Sequence, residues 1–198
     1  MEVFNLASLS PVATLSDPLR RAVGGVAISP DGGTVAAATS GTTRGMHLVE
    51  VWNVSSPEVT ATLAVPGRLG RPWRTQYQAG MPMALGGTTF GAMTLAVSDG
   101  VTTRAYGVES SSLRPAAAVA GGLVAISPDG SLFATTDPRS QYTVDLWNSR
   151  TGQKAAALTV PAAQPPQPAA AVFNASGDSF ALSCNNGHTY VWNLARSR

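Results

Sequence analysis

Val26-Ala27-Ile28-Ser29-Pro30-Asp31-Gly32 recurs letter for letter as Val124-Ala125-Ile126-Ser127-Pro128-Asp129-Gly130, and more loosely as Ala171-Val172-Phe173-Asn174-Ala175-Ser176-Gly177. Identity at that separation signals repeat architecture. Each copy reads as a strand running into a tight turn. Val26 and Ile28 alternate, so both are expected on one buried face. Ser-Pro-Asp-Gly suits a type I turn: Ser accepts a local hydrogen bond, Pro presets φ, and Gly takes the left-handed position. A second apolar run follows each turn, at Val35–Ala38, Leu132–Thr135 and Phe180–Ser183. These are the expected return strands.

A third strand then closes on Trp-Asn. It is Val49-Glu50-Val51-Trp52-Asn53-Val54 first, then Thr143-Val144-Asp145-Leu146-Trp147-Asn148, then Thr189-Tyr190-Val191-Trp192-Asn193-Leu194. Two degenerate versions stand in Val3-Phe4-Asn5-Leu6 and Arg104-Ala105-Tyr106-Gly107-Val108. The five aromatic positions are separated by 48, 54, 41 and 45 residues, a mean of 47. Such a period belongs to radially repeated four-stranded sheets.

With these motifs the chain resembles the WD-repeat β-propeller family over essentially its whole length. The resemblance implies an all-β fold of four-stranded antiparallel blades, about four of them. Each sequence unit is d-a-b-c, with Ser-Pro-Asp-Gly between a and b and the aromatic ending c. The units run approximately 11–54, 58–108, 115–148 and 154–194. Trp-Asp is replaced by Trp-Asn in all three good copies, and the family's Gly-His pair is missing. An Asp in the b–c turn survives as Asp99, with Asn186 in the matching place of the last unit. The family's buried His–Asp–Ser/Thr–Trp network is therefore expected to be absent or broken. The second unit is the poorest copy, its strand a, Met83–Thr89, interrupted by Gly. Pro161–Pro168 reads as a stiff, extended d–a loop. In a closed ring the first d strand, Pro11–Leu15, would add to the last c strand, Thr189–Leu194. Val3–Leu6, the tail of one more c strand, has no place in a self-contained ring. The expectation is an open arc, a partial propeller with free edges at Val3–Leu15 and Thr189–Leu194.

Composition narrows function by exclusion. Twelve Arg and the lone Lys154 face eleven carboxylates, and a net charge of +2 does not argue for nucleic acid. The single Cys184 cannot form an internal disulfide or a cysteine-rich zinc site. No apolar run has the length to span a bilayer, and the N-terminus lacks a signal-peptide pattern, so the expectation is a cytoplasmic protein away from membranes. No catalytic constellation is visible. His47 and His188 are both placed in c strands without a third ligand, and Gly24-Gly25 and Gly121-Gly122 lack phosphate-loop spacing. No metal or cofactor is expected.

One stretch stands outside the repeat rules. Arg68, Arg71 and Arg74 flank Trp73 in the long loop Pro66–Ala79, and Arg and Trp are the types enriched at binding hot spots. Sorting loops by the template puts d–a and b–c loops on one face. That face collects Arg20, Arg21, Arg44, Arg68, Arg71, Arg74 and Arg139 against Asp17, Asp99 and Asp137, a net of +4. The opposite face holds Arg114, Arg150 and Lys154 against Asp31, Asp129, Asp178, Glu58 and Glu109, a net of −2. The expected function is a non-catalytic protein-interaction scaffold that meets an acidic partner surface. It is read as the C-terminal part of a larger bacterial signalling protein, with self-association through open blade edges. The alternatives are a lactonase-like propeller hydrolase and a decayed, non-functional fragment.

Overall fold

The computed structural model describes residues 1–17, 19, 21–40, 46–66, 82–137, 139–161 and 168–194. Every regular element in them is a strand. A two-stranded hairpin comes first, β1 (Glu2–Asn5) and β2 (Ser10–Thr14). Next is the sheet β3 (Val23–Ile28), β4 (Thr34–Ser40), β5 (Met46–Asn53) and β6 (Ser56–Pro66), ordered as in sequence. The second sheet is β7 (Met83–Gly86), β8 (Met93–Ser98), β9 (Thr102–Val108) and β10 (Leu113–Ala120). The third is β11 (Leu123–Ile126), β12 (Leu132–Asp137), β13 (Ser140–Asn148) and β14 (Lys154–Thr159). The last has three strands, β15 (Pro168–Phe173), β16 (Ser179–Cys184) and β17 (Thr189–Asn193). Pro168, expected in a loop, opens β15 at a sheet edge, where a residue without an N–H is tolerated.

Every neighbouring pair is antiparallel. The d strand that opens a sequence unit is bonded to the c strand of the unit before it. Sequence unit and sheet are thus out of phase by one strand. The c–d pairing carries one signature throughout, a bulge just before the aromatic. Val51 faces Ala61 while Trp52 faces Val59, and Ala105 faces Ala117 while Tyr106 faces Pro115. Leu146 faces Ala156 while Trp147 faces Lys154, and Val3 faces Ala13 while Phe4 faces Pro11. By this register β1–β2 is a c–d pair. β2 does not reach β17, so the sheets form an open arc and no ring closes.

Apolar clusters lie between successive sheets. Leu15, Val35, Ala37 and Trp52 join the hairpin to the first sheet. Val49, Val51, Leu85, Leu95 and Val108 join the first to the second. Phe133 with Ala96, Ala105 and Val119 joins the second to the third, and Leu146, Phe173, Phe180 and Leu182 join the third to the last.

Three expectations of the repeat pattern are corrected here: that Val26 and Ile28 are buried, that the Ser-Pro-Asp-Gly turns are exposed, and that the Trp of each good copy is largely buried. Val26 and Ile28 are not on the buried face: they are 58% and 50% exposed, and Ala27 packs into the core instead. The a strands contact one another in series, β3 with β7, β7 with β11 and β11 with β15. β3 therefore has an a-strand neighbour on one side only, whereas Val124 and Ile126 on β11 are half-buried between two. The turns are not uniformly exposed either. Ser29 and Ser127 are buried, and their hydroxyls donate to Asp31 and Asp129 at 2.5 and 2.6 Å while accepting from the N–H of Thr34 and Leu132. The tryptophans also differ. Trp52 is fully buried, but Trp147 and Trp192 are only half-buried, Trp192 because no d strand covers β17.

The network expected to be broken keeps one link. Trp147 Nε1 donates to Thr135 Oγ1 at 2.8 Å. Counting from the aligned pairs Phe133–Trp147 and Val35–Trp52, the first sheet has Ala37 where Thr135 stands, and Trp52 Nε1 is buried without a partner.

Candidate interaction surfaces

Backbone bonds between turns fix two rims. On one rim a–b and c–d turns meet: Val54 N–H donates to Gly33 O, Ser149 to Ser131, and Leu194 to Asp178. On the other, d–a and b–c connections meet: Gly121 N–H donates to Val101 O at 2.7 Å and Thr103 Oγ1 to Gly121 O at 2.8 Å. Gly121-Gly122 is thus the tight link between two sheets. The b–c turns are held as the template predicts. Asp99 Oδ1 accepts from the N–H of Val101 and Thr102, and Asn186 Oδ1 from His188. Burial opposes ionisation of Asp99, but those N–H groups and Arg104 outweigh it and hold its carboxyl below the usual range.

Of the arginines assigned to the second of these rims, Arg20, Arg44, Arg68, Arg71 and Arg74 lie outside the described residues, as does Trp73. The strands flanking the long loop are described. β6 ends on that rim, where Arg104 Nη1 donates to Pro66 O at 3.5 Å, and β7 starts from it at Met83. Arg139 is exposed in the β12–β13 turn, its N–H on Asp137 Oδ1 at 2.7 Å.

Arg21 is turned inward. Its Nε donates to Asp17 Oδ2 at 2.8 Å, and its Nη2 reaches Asp17 Oδ1 and Glu50 Oε1, both at 2.9 Å. Glu50, two residues before Trp52, is buried on the central strand β5. The same position before Trp147 holds Asp145, also buried, which accepts from Lys154 Nζ at 2.6 Å while that ammonium sits 5.1 Å from the Trp147 ring. Asp145 is therefore an interior ion-pair partner. The pattern acid-x-Trp at 50–52 and 145–147 is the signal that could have shown both pairs. Arg21 and Lys154 accordingly add little to the free charge of their rims.

The triad makes opposite demands on its two acids. The hydrogen bond from Arg21 holds Asp17 well below the usual carboxylate range. Burial, then the Asp17 charge, push Glu50 up against the pull of Arg21, and Glu50 Oε2 has no partner. Stability from Asp17 is present above about pH 4 and is lost as pH falls through its depressed native value. Glu50 favours folding while neutral, a contribution that is lost as pH rises through its raised native value. Asp17→Asn should cost about 1.5–3 kcal/mol at pH 7 and much less at pH 2, whereas Glu50→Gln should cost little at pH 7. Urea unfolding at both pH values checks this. Equal losses for the two variants at pH 7 would contradict it.

His47 is buried on β5 with Nδ1 unpartnered, and Cys184 is buried on β16. His188 is exposed in the turn before β17, not in the strand as expected, because β17 begins at Thr189. Among the described residues no three His, Cys, Asp or Glu side chains are grouped as a metal cluster, and no helix is long and apolar enough to cross a membrane.

No family model and no curated protein matches the chain. Solved structures do. The β-propeller domain of Myceliophteria thermophila Cps50 (Swd1) superposes with a TM-score of 0.60 at 12% identity, over 94% of this chain and 60% of that one. The computationally designed protein Ika8 superposes with a TM-score of 0.58 at 13% identity, over 100% of this chain and 53% of that one. The fold is a partial β-propeller. Its four-stranded sheets are the blades, and the chain spans just over half the length of both proteins.

Proposed function

We propose that this partial propeller is a non-catalytic protein-interaction scaffold of WD-like repeats, with the d–a/b–c rim as its docking surface. The observation that supports the reading most is where the loops leave the fold. The connections 41–45 and 67–81 join strand ends on that one rim, and they hold Arg44, Arg68, Arg71, Trp73 and Arg74. The opposite rim is made of short turns spent on their own hydrogen bonds. A long connection between strands, as 67–81 is, is where binding residues concentrate. An arginine-rich rim suits a protein partner with an acidic surface, in the cytoplasm and within a larger bacterial signalling protein.

The test compares pull-downs by the wild-type chain and by the Arg68/Arg71/Arg74→Ala variant at about 50 and 200 mM salt. The proposal expects captured protein that the variant loses and that salt releases from the wild type. Identical capture by both chains, unchanged by salt, would sink it.

A further inference from the structure

One strand position in the second blade breaks the repeat, and a groove opens there. The residue after the aromatic of strand c is Asn5, Asn53, Asn148 or Asn193 in β1, β5, β13 and β17, but Gly107 in β9. Where the amide is present it can hold the following turn. Asn5 Oδ1 accepts from the N–H of Ala7 and Ser8, Asn53 Oδ1 from Ser55, and Asn148 Oδ1 from Arg150 and Thr151. Gly107 gives that bond up. Its backbone does not require glycine: its φ is outside the left-handed region, and an added Cβ would meet only Arg114 O, at 3.9 Å. Glycine weakens a strand interior and marks a place where a ligand or another segment approaches closely.

The space beside Gly107 is a groove of about 310 Å³ between the second blade and the turn after β13. Thr94, Gly107 and Arg114 line it as one row across β8, β9 and β10, where each faces the next. Ser149 and Arg150 line it from the third blade. Thr94 and Ser149 are buried, their hydroxyls 3.4 Å apart. Glu109 completes the charged lining. The backbone holds two of these residues in place: Arg150 N–H donates to Asn148 Oδ1 at 3.0 Å, and Glu109 N–H donates to Ser112 O at 2.9 Å. Glu109, Arg114 and Arg150 are exposed, and none of them has an ion-pair partner among the described residues. Two cations and one anion thus surround a single concave space without being neutralised.

We propose that this groove binds a small zwitterion, an oxyanion and an ammonium carried by one molecule. Arg114 and Arg150 take the oxyanion, since a guanidinium presents a planar fork of donors that matches carboxylate or phosphate oxygens. Glu109 takes the ammonium. Ser149 Oγ donates to Gly130 O, whereas the bond from Thr94 Oγ1 to Ser149 is long, so Thr94 is the hydroxyl that can turn to the ligand. The volume is at the small end of ligand sites, which span about 300–1,000 Å³, and suits a metabolite-sized molecule. The groove lies on the rim of short turns, opposite the long loops, so the inference stands or falls apart from the proposed docking function.

Isothermal titration of the full chain with phosphoethanolamine and with β-alanine tests this. Inorganic phosphate, propionate and ethanolamine, each with one charged group, are the comparison probes. At least one zwitterion should bind about tenfold more tightly than the comparison probes, the worth of one charge-assisted hydrogen bond. The better of the two identifies the oxyanion as phosphate or carboxylate. Glu109→Gln should remove the advantage of the zwitterion over its anionic half, and Arg114→Gln with Arg150→Gln should abolish binding. Gly107→Asn restores the residue of the other repeats. It should keep or raise the melting temperature while filling the groove and removing binding. The proposal is overturned if neither zwitterion binds more tightly than the comparison probes, or if Gly107→Asn melts as the wild type does and still binds equally well.

Discussion

Trp52→Ala should cost about 3–5 kcal/mol, the largest loss of any of the three tryptophans. Trp52 is fully enclosed between the hairpin and the first blade, against Leu15, Val35 and Ala37. Removing it leaves a cavity whose blade wall, β4 and β5, is paired on both sides and cannot collapse to fill it. Its orphaned Nε1 tempers the loss, since alanine also removes an unsatisfied donor. Trp147→Ala should cost less: that ring is half-buried, and the bond to Thr135 and the Lys154 contact are what it gives up. Trp192→Ala should cost least, the ring resting on Phe180 and Tyr190 at the open end. Denaturant melts of the three variants give the order, and equal losses would mean that burial does not set it.

Gly121→Ala should be as damaging, about 3–5 kcal/mol from a backbone strain and an overlap acting together. Gly121 has φ +109°, and an added Cβ would lie 2.0 Å from Thr136 O and 3.0 Å from Thr135 Oγ1. Neither neighbour is a flexible side-chain end. Thr136 O belongs to β12, and Thr135 also holds Trp147. The two-residue link cannot swing away, because Gly121 N–H is bonded to Val101 O and Gly122 O accepts from Thr136 N–H. Gly152→Ala is the matched control. Its φ is +67°, but its Cβ would approach only Ala117 Cβ at 3.3 Å, so its loss should be clearly smaller. Thermal melts should therefore separate Gly121→Ala from Gly152→Ala by several degrees or more.

Strand positions, turn chemistry and the open arc were legible in the sequence because each rests on local pattern. The bulge that aligns β1 with true c strands was foreshadowed by Val3-Phe4-Asn5-Leu6. What local pattern cannot carry is a side chain's neighbour from another blade. Val26 and Ile28 read as buried because alternation names a face but not what covers it. The interruption at Gly86 made the second unit look degenerate. In the fold a Cβ there would meet Ser127 O at 2.4 Å, and Gly87 N–H donates to Pro128 O, so the glycines admit the neighbouring turn. The Arg21–Glu50 pair joins residues 29 apart, one in a loop counted as a free positive face. Of the candidate binding arginines, the structure places Arg21 and Arg139, one turned inward and one exposed.

The serial packing of hairpin and blades has a consequence for how the chain acquires its structure. Each of its sheets is assembled from strands adjacent in sequence, so a blade can form from one short stretch before any other exists. Stability then behaves as a sum of blade terms and nearest-neighbour interface terms, as in other repeat proteins. The second and third blades have a blade on each side and are the natural nucleus, with order spreading outward from them. The ends have one interface each, so exchange of amide hydrogens should proceed inward from β1 and from β17. Unfolding of such an array departs from a single cooperative step, and its amide protection forms a gradient along the chain with its maximum in the middle.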